Sequence, residues 1–300
     1  MRNVRHNASV VVIGGGPLGL EFAQIFARFG SKVTVIEAMP QIVPRTEPEI
    51  AAVLQEALEG EGIEIRTGIR IEQVRPGAPK TIVCGPQASD CFEADAILVA
   101  TGIRANTEEL GLANAGGRLT NAGFVETTSW YEAGQGLWAA GDVTGSMPLE
   151  TVAAKEGALA AANALEGRRD SLNYGAVPWA VFTSPQLAGV GLTETESMAR
   201  TGFCNCRTVY HSQLPKAMAV KDTVGAVKLT IDRENRIRGA HACGTNAAEV
   251  IHEAALAIRL GLTIHDLINT VHVFPTYAEA IELAAQAFTR DVSVMTCCIG

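Results

Sequence analysis

The sequence contains no apolar run that approaches the ~18 residues of a membrane-spanning helix. The apolar stretch nearest the N-terminus, Val10 to Ile13, is only four residues long and runs into glycines, whereas a signal peptide has a longer apolar core. With 47% hydrophobic and 19% charged residues, the chain can form a sizeable core and is not expected to be disordered. We therefore expect a folded cytoplasmic protein without a membrane segment.

An excess of positive charge is missing as well. The chain has 24 lysine and arginine residues against 32 aspartate and glutamate residues, which gives a net charge of −8. A broad phosphate-binding surface needs a positive potential. Nucleic acid is therefore not an expected partner.

The cysteines do not form the even, regularly spaced set of a disulfide-stabilised protein. The seven are Cys84, Cys91, Cys204, Cys206, Cys243, Cys297 and Cys298. We interpret Cys84, Cys91 and Cys243 as buried or loop thiols. Cys204 and Cys206 could bind a metal, but no second cysteine or histidine pair stands nearby at the spacing of a zinc site.

The front third of the sequence contains a strand, a glycine turn, a helix, a second strand and an acid, in that order. Val10 to Ile13 has the apolar, β-branched character of a buried parallel strand, and Gly14, Gly16 and Gly19 follow with G-x-G-x-x-G spacing. The first glycine permits the turn, the second permits approach to a pyrophosphate, and the third lets the helix pack on the strand. The pattern predicts a dinucleotide site.

Glu37 ends the second predicted strand, where a carboxylate accepts hydrogen bonds from the ribose 2′-OH and repels a 2′-phosphate. Taken alone, this residue favours NADH over NADPH. Residues 47–65 indicate another helix and strand, and residues 94–102 a further strand that closes on Gly102. We therefore predict one Rossmann-like domain over residues 1–104.

A second cofactor signal lies in the middle of the chain. Residues 136–142 predict a short strand ending in Gly141-Asp142, and a helix is expected from about Leu149 to Leu165. An aspartate at this position can hold a ribityl hydroxyl group near helix N–H groups, or it can be an ordinary N-cap. The residues alone leave both interpretations open.

Several stretches together resemble the flavin-dependent pyridine nucleotide–disulfide oxidoreductases over nearly the whole chain. They are ILVATGIRANTEELGL, GLWAAGDVTG, VPWAVFTSPQLAGVGLTE, GAVKLTIDRENRIRGAHACGTNAAEVIHEAALAIRLGLT and HVFPTYAEAIELAAQAFT. The resemblance implies FAD and NAD(P)H as cofactors, with Asp142 in contact with FAD and Glu21 near the nicotinamide and flavin rings. Gly14, Gly16, Gly19, Glu37 and Gly102 would complete the cofactor-binding set.

The resemblance also implies a three-part α/β fold. A Rossmann-like NAD(P)-binding domain would be followed by a remnant of the FAD domain at 105–172 and by an α+β dimerisation domain at 173–300. The last part would contain an antiparallel hairpin at 226–242 and apolar helices that need a partner surface, so we expect a homodimer.

A full member of this family carries a preceding FAD half-domain with its own glycine fingerprint and a C-x-x-x-x-C redox pair. Here the only glycine fingerprint begins at Gly14, and no two cysteines are five positions apart. We therefore expect a fragment or truncated product that corresponds to the C-terminal two-thirds of such a protein. On its own it should hold flavin weakly or not at all.

Disulfide-reducing members have a histidine directly before the proline of a His-Pro-Thr-x-x-Glu stretch, whereas this sequence has Phe274 there. Phenylalanine cannot carry a proton. His272 would face the same side of a strand and is either a substitute base or a packing histidine. Tyr277 either reaches a substrate metal or belongs to the core.

The ending FTRDVSVMTCCIG resembles the mercuric reductase branch of the family, which lacks that histidine and ends in a vicinal cysteine pair. The resemblance implies that Cys297 and Cys298 bind Hg²⁺, a soft cation that prefers thiolates, and deliver it for reduction to Hg⁰. Two alternatives remain at this point. One is a dihydrolipoamide dehydrogenase-like reductase, and the other is a non-catalytic dimeric nucleotide-binding thiol protein that sequesters soft metal.

Overall fold

A computed structural model describes residues 8–84 and 90–292, with the backbone alone for Asp90 and Cys91. These residues form two compact units. The first unit combines the chain up to Thr101 with the chain from Pro178 onward, and the second comprises Gly102–Val177. Within the described ranges, no helix has both the length and the apolarity needed to cross a bilayer.

The first part of the first unit contains a four-stranded parallel sheet in the order β3-β2-β1-β7. Its elements are β1 (Ser9–Ile13), α1 (Pro17–Arg28), β2 (Lys32–Ile36), α2 (Pro48–Gly60), β3 (Glu64–Arg66), β4 (Ile71–Arg75), β5 (Lys80–Cys84), β6 (Asp90–Ala94) and β7 (Ala96–Val99). Strand β1 is central because Val10, Val11 and Val12 are all buried. The predicted order of strand, turn, helix and strand is confirmed.

Two features of this part differ from the sequence prediction. Strands β4, β5 and β6 form a separate three-stranded antiparallel sheet between β3 and β7, which the sequence analysis did not predict. The strand predicted at 94–102 is limited to β7, so Gly102 lies beyond its end. The backbone of Gly102 has φ +129°, a conformation that a regular strand does not contain.

The second unit contains β8 (Glu132–Gly134), β9 (Leu137–Trp138) and α3 (Glu150–Glu166). Strands β8 and β9 form a two-stranded antiparallel pair. The strand predicted at 136–142 is only two residues long, and a short 3₁₀ turn over Asp142–Thr144 follows it. The helix expected from about Leu149 to Leu165 matches α3 within one residue at each end.

The remaining part of the first unit is a five-stranded antiparallel sheet in the order β10-β11-β14-β13-β12. Its elements are β10 (Trp179–Val181), β11 (Gln186–Gly191), α4 (Glu194–Thr201), β12 (Asn205–Tyr210), α5 (Pro215–Val220), β13 (Ala226–Ile231), β14 (Ile237–Gly244), α6 (Ala247–Leu260), α7 (Ile264–Ile268) and α8 (Glu279–Gln286). Strands β13 and β14 are the predicted hairpin.

Helices α6 and α8 pack on one face of this sheet, and α2 packs on the other. The sheet buries most of the apolar surface of α8, including Ile281 and Ala284. Leu256 and Leu260 of α6 remain exposed, as do Val271 and Val273 in the loop before α8. The apolar surface that stays exposed to solvent is therefore smaller than the sequence suggested, and part of it lies in a loop.

Candidate functional site

The glycine turn between β1 and α1 brings backbone segments into close contact. A Cβ atom at Gly14 would overlap the carbonyl group of Ala100, and a Cβ atom at Gly19 would overlap the carbonyl oxygen of Gly14. A Cβ atom at Gly16, by contrast, would meet no atom within 4 Å. Packing therefore requires the first and third glycines, whereas the second borders the open space that a pyrophosphate needs.

Helix α1 begins directly after this turn. Pro17 is its first residue and has no N–H group, and no side chain caps the helix start. The Leu20 N–H donates to the carbonyl oxygen of Gly16 at 3.1 Å. The amides of the first turn carry the partial positive charge of a helix N-terminus, which suits them to phosphate oxygens.

Glu37 follows β2 and is buried beside the glycine turn. One carboxylate oxygen accepts the Gly15 N–H at 2.6 Å, and the other accepts the Met39 N–H at 2.8 Å. Both oxygens are therefore held in place relative to the turn, and each keeps further acceptor capacity. The turn, the helix start and this carboxylate fit a dinucleotide with its ribose at Glu37.

Glu21 lies on α1, two residues after the last glycine of the turn. Its Oε1 atom accepts the Phe182 N–H at 2.8 Å, at the end of β10. Gln24, one turn further along the helix, bonds to both the amide and the carbonyl group of Ser184. The described contact of Glu21 is therefore structural, and its predicted place near the nicotinamide and flavin rings stays a prediction.

Asp142 belongs to the second unit, as Gly102 does. Its carboxylate is exposed and, among the described residues, has no hydrogen-bond partner. The N-cap residue of α3 is Leu149, so Asp142 does not cap that helix. The ordinary N-cap interpretation is therefore wrong, and the carboxylate is free to accept hydroxyl groups of a ligand.

A buried carboxylate lies beside Asp142, and the sequence did not predict it. Glu156 of α3 is fully buried and accepts the Gly141 N–H at 2.6 Å. Its other oxygen accepts the hydroxyl groups of Ser146 and Tyr174 at 2.8 Å and 2.5 Å. Burial and this carboxylate raise the pKa of Tyr174. The alanine-rich segment ETVAAKEGALAAANA contains three charged residues, and its sequence does not mark Glu156 as the buried one.

His272 lies in the loop between α7 and α8 rather than in the predicted strand. Its Nε2 atom is 2.9 Å from Glu253 Oε1, and its Nδ1 atom is 3.1 Å from Glu282 Oε2 and 2.9 Å from the Thr270 carbonyl oxygen. The hydrogen bond to Glu253 is the main reason why the pKa of His272 is raised. The two glutamates satisfy the ring, which supports the packing interpretation over that of a free base.

Phe274 and Tyr277 have different environments. Phe274 is half exposed, whereas Tyr277 is buried in the apolar core beneath the sheet. The Tyr277 hydroxyl donates to Asp222 Oδ2 at 3.1 Å, and its ring lies at a tilt of 39° beside that of His211. Of the two interpretations of Tyr277, the structure therefore supports the core residue.

The cysteines divide into three groups. Cys84 and Cys243 are buried, as predicted, whereas the side chain of Cys91 lies outside the described residues. Cys297 and Cys298, the predicted metal-binding and catalytic pair, also lie outside the described residues. Cys204 and Cys206 are half-buried and lie close to Glu194, a carboxylate that a search for cysteine and histidine spacing could not find.

Comparison with known proteins identifies the family. Residues 1–157 match the pyridine nucleotide-disulphide oxidoreductase family, and residues 177–285 match the dimerisation domain of that family. The chain belongs to the pyridine nucleotide–disulphide oxidoreductases. Proteins of this family use FAD and NAD(P)H, which confirms the predicted pair of cofactors at the level of the family.

Relatives of two kinds are equally similar. A mercuric reductase from Streptomyces lividans is 38% identical over 296 residues, which cover 97% of this chain and 62% of the relative. A dihydrolipoyl dehydrogenase from Thermus scotoductus is 38% identical over 288 residues, which cover 94% of this chain and 62% of the relative. Overall identity therefore does not separate these two branches, and the chain spans about three-fifths of either relative.

Solved structures confirm the predicted fold class. LpdA from Mycobacterium tuberculosis superimposes with a TM-score of 0.85 at 26% identity, over 96% of this chain and 63% of that chain. The HOCl-induced flavoprotein disulfide reductase RclA from Escherichia coli gives 0.83 at 26% identity, over 95% and 66%. The α/β architecture with a separate antiparallel sheet is thus shared with both proteins, one of which is a flavoprotein disulfide reductase.

Proposed function

We propose that this chain is the C-terminal part of a mercuric reductase that depends on FAD and NAD(P)H. The observation that carries the proposal is the vicinal pair Cys297-Cys298 in the segment FTRDVSVMTCCIG. Two adjacent thiolates suit Hg²⁺, because this soft cation prefers sulfur to nitrogen or oxygen ligands. The cytoplasmic location expected from the sequence belongs to the same proposal.

Different residues of this chain would bind the nucleotide and the metal. Gly14, Gly16 and Gly19 would admit the pyrophosphate, Glu37 would hold the ribose, and Asp142 would accept a hydroxyl group of the flavin side chain. Bound FAD would carry electrons from the nicotinamide towards the metal. The balanced reaction is NAD(P)H + Hg²⁺ → NAD(P)⁺ + H⁺ + Hg⁰, with Cys297 and Cys298 as the thiolates that deliver Hg²⁺.

Phe274 supports this branch over disulfide reduction. Reduction of a disulfide substrate requires a side chain that transfers a proton to or from the reacting thiol. The half-exposed phenylalanine at this position has no group that can do so. His272 is engaged by Glu253 and Glu282. The equal identity of the Thermus scotoductus enzyme keeps a dihydrolipoyl dehydrogenase-like activity as the second candidate.

Assembly as a homodimer is part of the proposal. The match of residues 177–285 to a dimerisation domain supports it, as do the exposed side chains of Val271, Val273 and Phe274 before α8. Exposed apolar side chains that lie close together are a common feature of subunit interfaces. A monomeric mass in light scattering at micromolar concentration would contradict this part.

The test is a competitive Hg²⁺ titration of the full chain against a small thiol. We expect Cys297→Ala/Cys298→Ala to lose the tightest Hg²⁺ site, whereas Cys243→Ala, which removes a fully buried thiol, retains it. Equal affinity in the double variant and the native chain would refute the role of the pair.

Substrate and flavin assays separate the candidates. Hg²⁺-dependent oxidation of NAD(P)H in the presence of FAD supports the reductase, and lipoamide-dependent oxidation supports the second candidate. Because the chain alone should hold flavin weakly or not at all, the deciding assay uses a protein that also carries the FAD half-domain, and Hg²⁺ binding without oxidation of NAD(P)H in that protein would favour the non-catalytic thiol protein instead.

Nucleotide preference provides an independent prediction. Because Glu37 is held beside the turn, it should repel a 2′-phosphate, and the chain should bind NADH more tightly than NADPH. Glu37→Ala should narrow that difference by roughly tenfold, which corresponds to about 1.4 kcal/mol of charge repulsion removed. Fluorescence titration with both nucleotides measures the ratio, and tighter NADPH binding by the native chain would contradict the role of Glu37.

A further inference from the structure

A cluster of two thiols and one carboxylate lies where the chain reverses direction between the end of α4 and the start of β12. One ligand atom each from Glu194, Cys204 and Cys206 lies within 4.8 Å of the other two. Two thiolates bound to one ion at ~2.3 Å can be at most about 4.6 Å apart. Small side-chain rotations would therefore bring the three groups onto a single cation.

Local structure fixes this arrangement without help from a ligand. Helix α4 begins with a capping box between Thr193 and Glu196, and it ends at Gly202, whose φ of +66° reverses the chain. The Thr201 hydroxyl donates to the Phe203 carbonyl oxygen at 2.9 Å and holds the return segment. The first residue of the helix and the first residues of β12 are thereby brought together.

The electrostatic surroundings favour a cation. The buried Lys228 ammonium group lies 2.8 Å from Glu194 Oε2, 3.0 Å from Glu47 Oε2 and 2.6 Å from Glu49 Oε1. One positive charge thus faces three carboxylates, so this group of side chains carries a net negative charge. Arg207 bonds to the carbonyl oxygens of Cys206 and Ala287, and Arg233 lies over the ring of Phe203.

We propose that Glu194, Cys204 and Cys206 bind one thiophilic divalent cation of the zinc group. Two sulfur ligands select Zn²⁺, Cd²⁺ or Hg²⁺ over Mg²⁺ and Ca²⁺, which prefer oxygen ligands throughout. Three protein ligands leave the fourth tetrahedral position open to water or to a solution thiol. The half-buried thiols and the exposed carboxylate allow an ion to enter from solvent.

Groups around the ligands would hold them in place. Lys228 donates to Glu194 Oε2 and would orient that carboxylate, and Thr230 Oγ1 lies 3.6 Å from Cys206 Sγ. Partners of this kind fix ligand orientation in metal sites. The site uses neither Cys297 nor Cys298, so it does not depend on the proposed reductase activity.

The test uses the full chain with Cys297→Ala/Cys298→Ala, reduced and kept under an inert atmosphere. Cd²⁺ titration is followed by calorimetry and by the ultraviolet thiolate-to-cadmium charge-transfer band. We expect one equivalent of Cd²⁺ with that band, competition by Zn²⁺ and no competition by Mg²⁺. Absence of the band in the reduced protein would overturn the proposal.

Further substitutions in that background assign the ligands. Cys204→Ala/Cys206→Ala should abolish the band, and Glu194→Gln, which keeps the shape of an exposed side chain, should weaken Cd²⁺ binding at least tenfold. Cys243→Ala and Glu234→Gln serve as matched controls and should bind as the background does. Retained binding in the cysteine double variant, or unchanged affinity in Glu194→Gln, would show that these residues are not the ligands.

Discussion

The two faces of the five-stranded sheet bury different chemistry. On the face covered by α6 and α8, Val227, Leu229 and Ile231 of β13 pack into an aliphatic core. On the face covered by α2, the same strand presents Lys228 and Thr230, and β14 adds His241. All of these side chains are at most 4% exposed, so the difference lies in chemistry rather than in access to solvent.

The polar side chains on the face covered by α2 can be buried because residues at the start of α2 bind them. Glu47, the N-cap residue of α2, and Glu49 bind the Lys228 ammonium group, and the Thr46 hydroxyl lies 2.9 Å from His241 Nδ1. Buried polar groups require such partners, whereas aliphatic groups require only shape. The comparison therefore predicts sharper losses when a partner is removed on the polar face.

The largest effect is expected for Lys228→Met. The substitution leaves Glu47, which is almost fully buried, without its cation, and a broken buried ion pair costs about 3–5 kcal/mol of the free energy of unfolding. Burial already raises the pKa of Glu47. Urea denaturation at neutral pH measures the loss.

Lys32→Met is the matched control, since it removes the same charge at an exposed position and should change stability by less than about 1 kcal/mol. Adding Glu47→Gln to Lys228→Met should recover part of the loss, because an amide needs no counter-ion. If Lys228→Met and the control had similar stabilities, the predicted difference between the polar and the aliphatic face would be wrong.

On the aliphatic face, Leu229→Ala should cost about 3 kcal/mol, because it opens a cavity in a close-packed core. The loss should depend little on pH, because the substitution removes only apolar contacts. Denaturation at several pH values between 5 and 8 tests this. A pH-dependent loss would show that the two faces are coupled through the sheet.

The sequence predicts the parallel sheet, the hairpin of β13 and β14, and helices α1, α2 and α3, because each depends on short-range patterns. Alternation in AVKLTI likewise separates the two faces of β13 correctly. The same pattern would assign Lys228 to solvent, since nothing local shows that α2 covers it. The residues that bury this lysine are 181, 179 and 34 positions away along the chain.

The candidate sites follow the same division. The glycine turn and Glu37 were predictable because one strand–turn–helix–strand unit holds them all. Glu156, Glu194 and Glu253 were not, since each gains its role only when a distant backbone or side chain reaches it. The strand predicted at His272 failed for a related reason, because two glutamates from separate helices hold that residue in a loop.

A pH-dependent effect should come from His241 and His211, for which burial outweighs the nearby charges. Burial lowers the pKa of His241 to about 4, and that of His211 likewise. The unfolded chain takes up these protons near pH 6.5, so stability falls as the pH drops from 6.5 to 4, by roughly 3 kcal/mol for each histidine. His241→Phe should remove about half of this loss of stability at acid pH. The double variant His241→Phe/His211→Phe should remove the other half. Chemical denaturation across this range measures the slope, and an unchanged slope in both variants would contradict it.

The smallest effect, with the opposite sign, is expected for His272 in the helix layer over the aliphatic face. Glu253 raises the pKa of His272, so the folded chain keeps a proton that the unfolded chain loses above pH 6.5. The resulting stabilisation is complete below pH 6.5 and is lost as the pH rises through the higher folded pKa. His272→Gln should therefore be less stable than the native chain at pH 6 and closer to it at pH 9. Denaturation at both values tests this, with His252→Gln on the exposed side of α6 as the matched control. A constant difference at the two pH values would mean that His272 contributes packing and no charge.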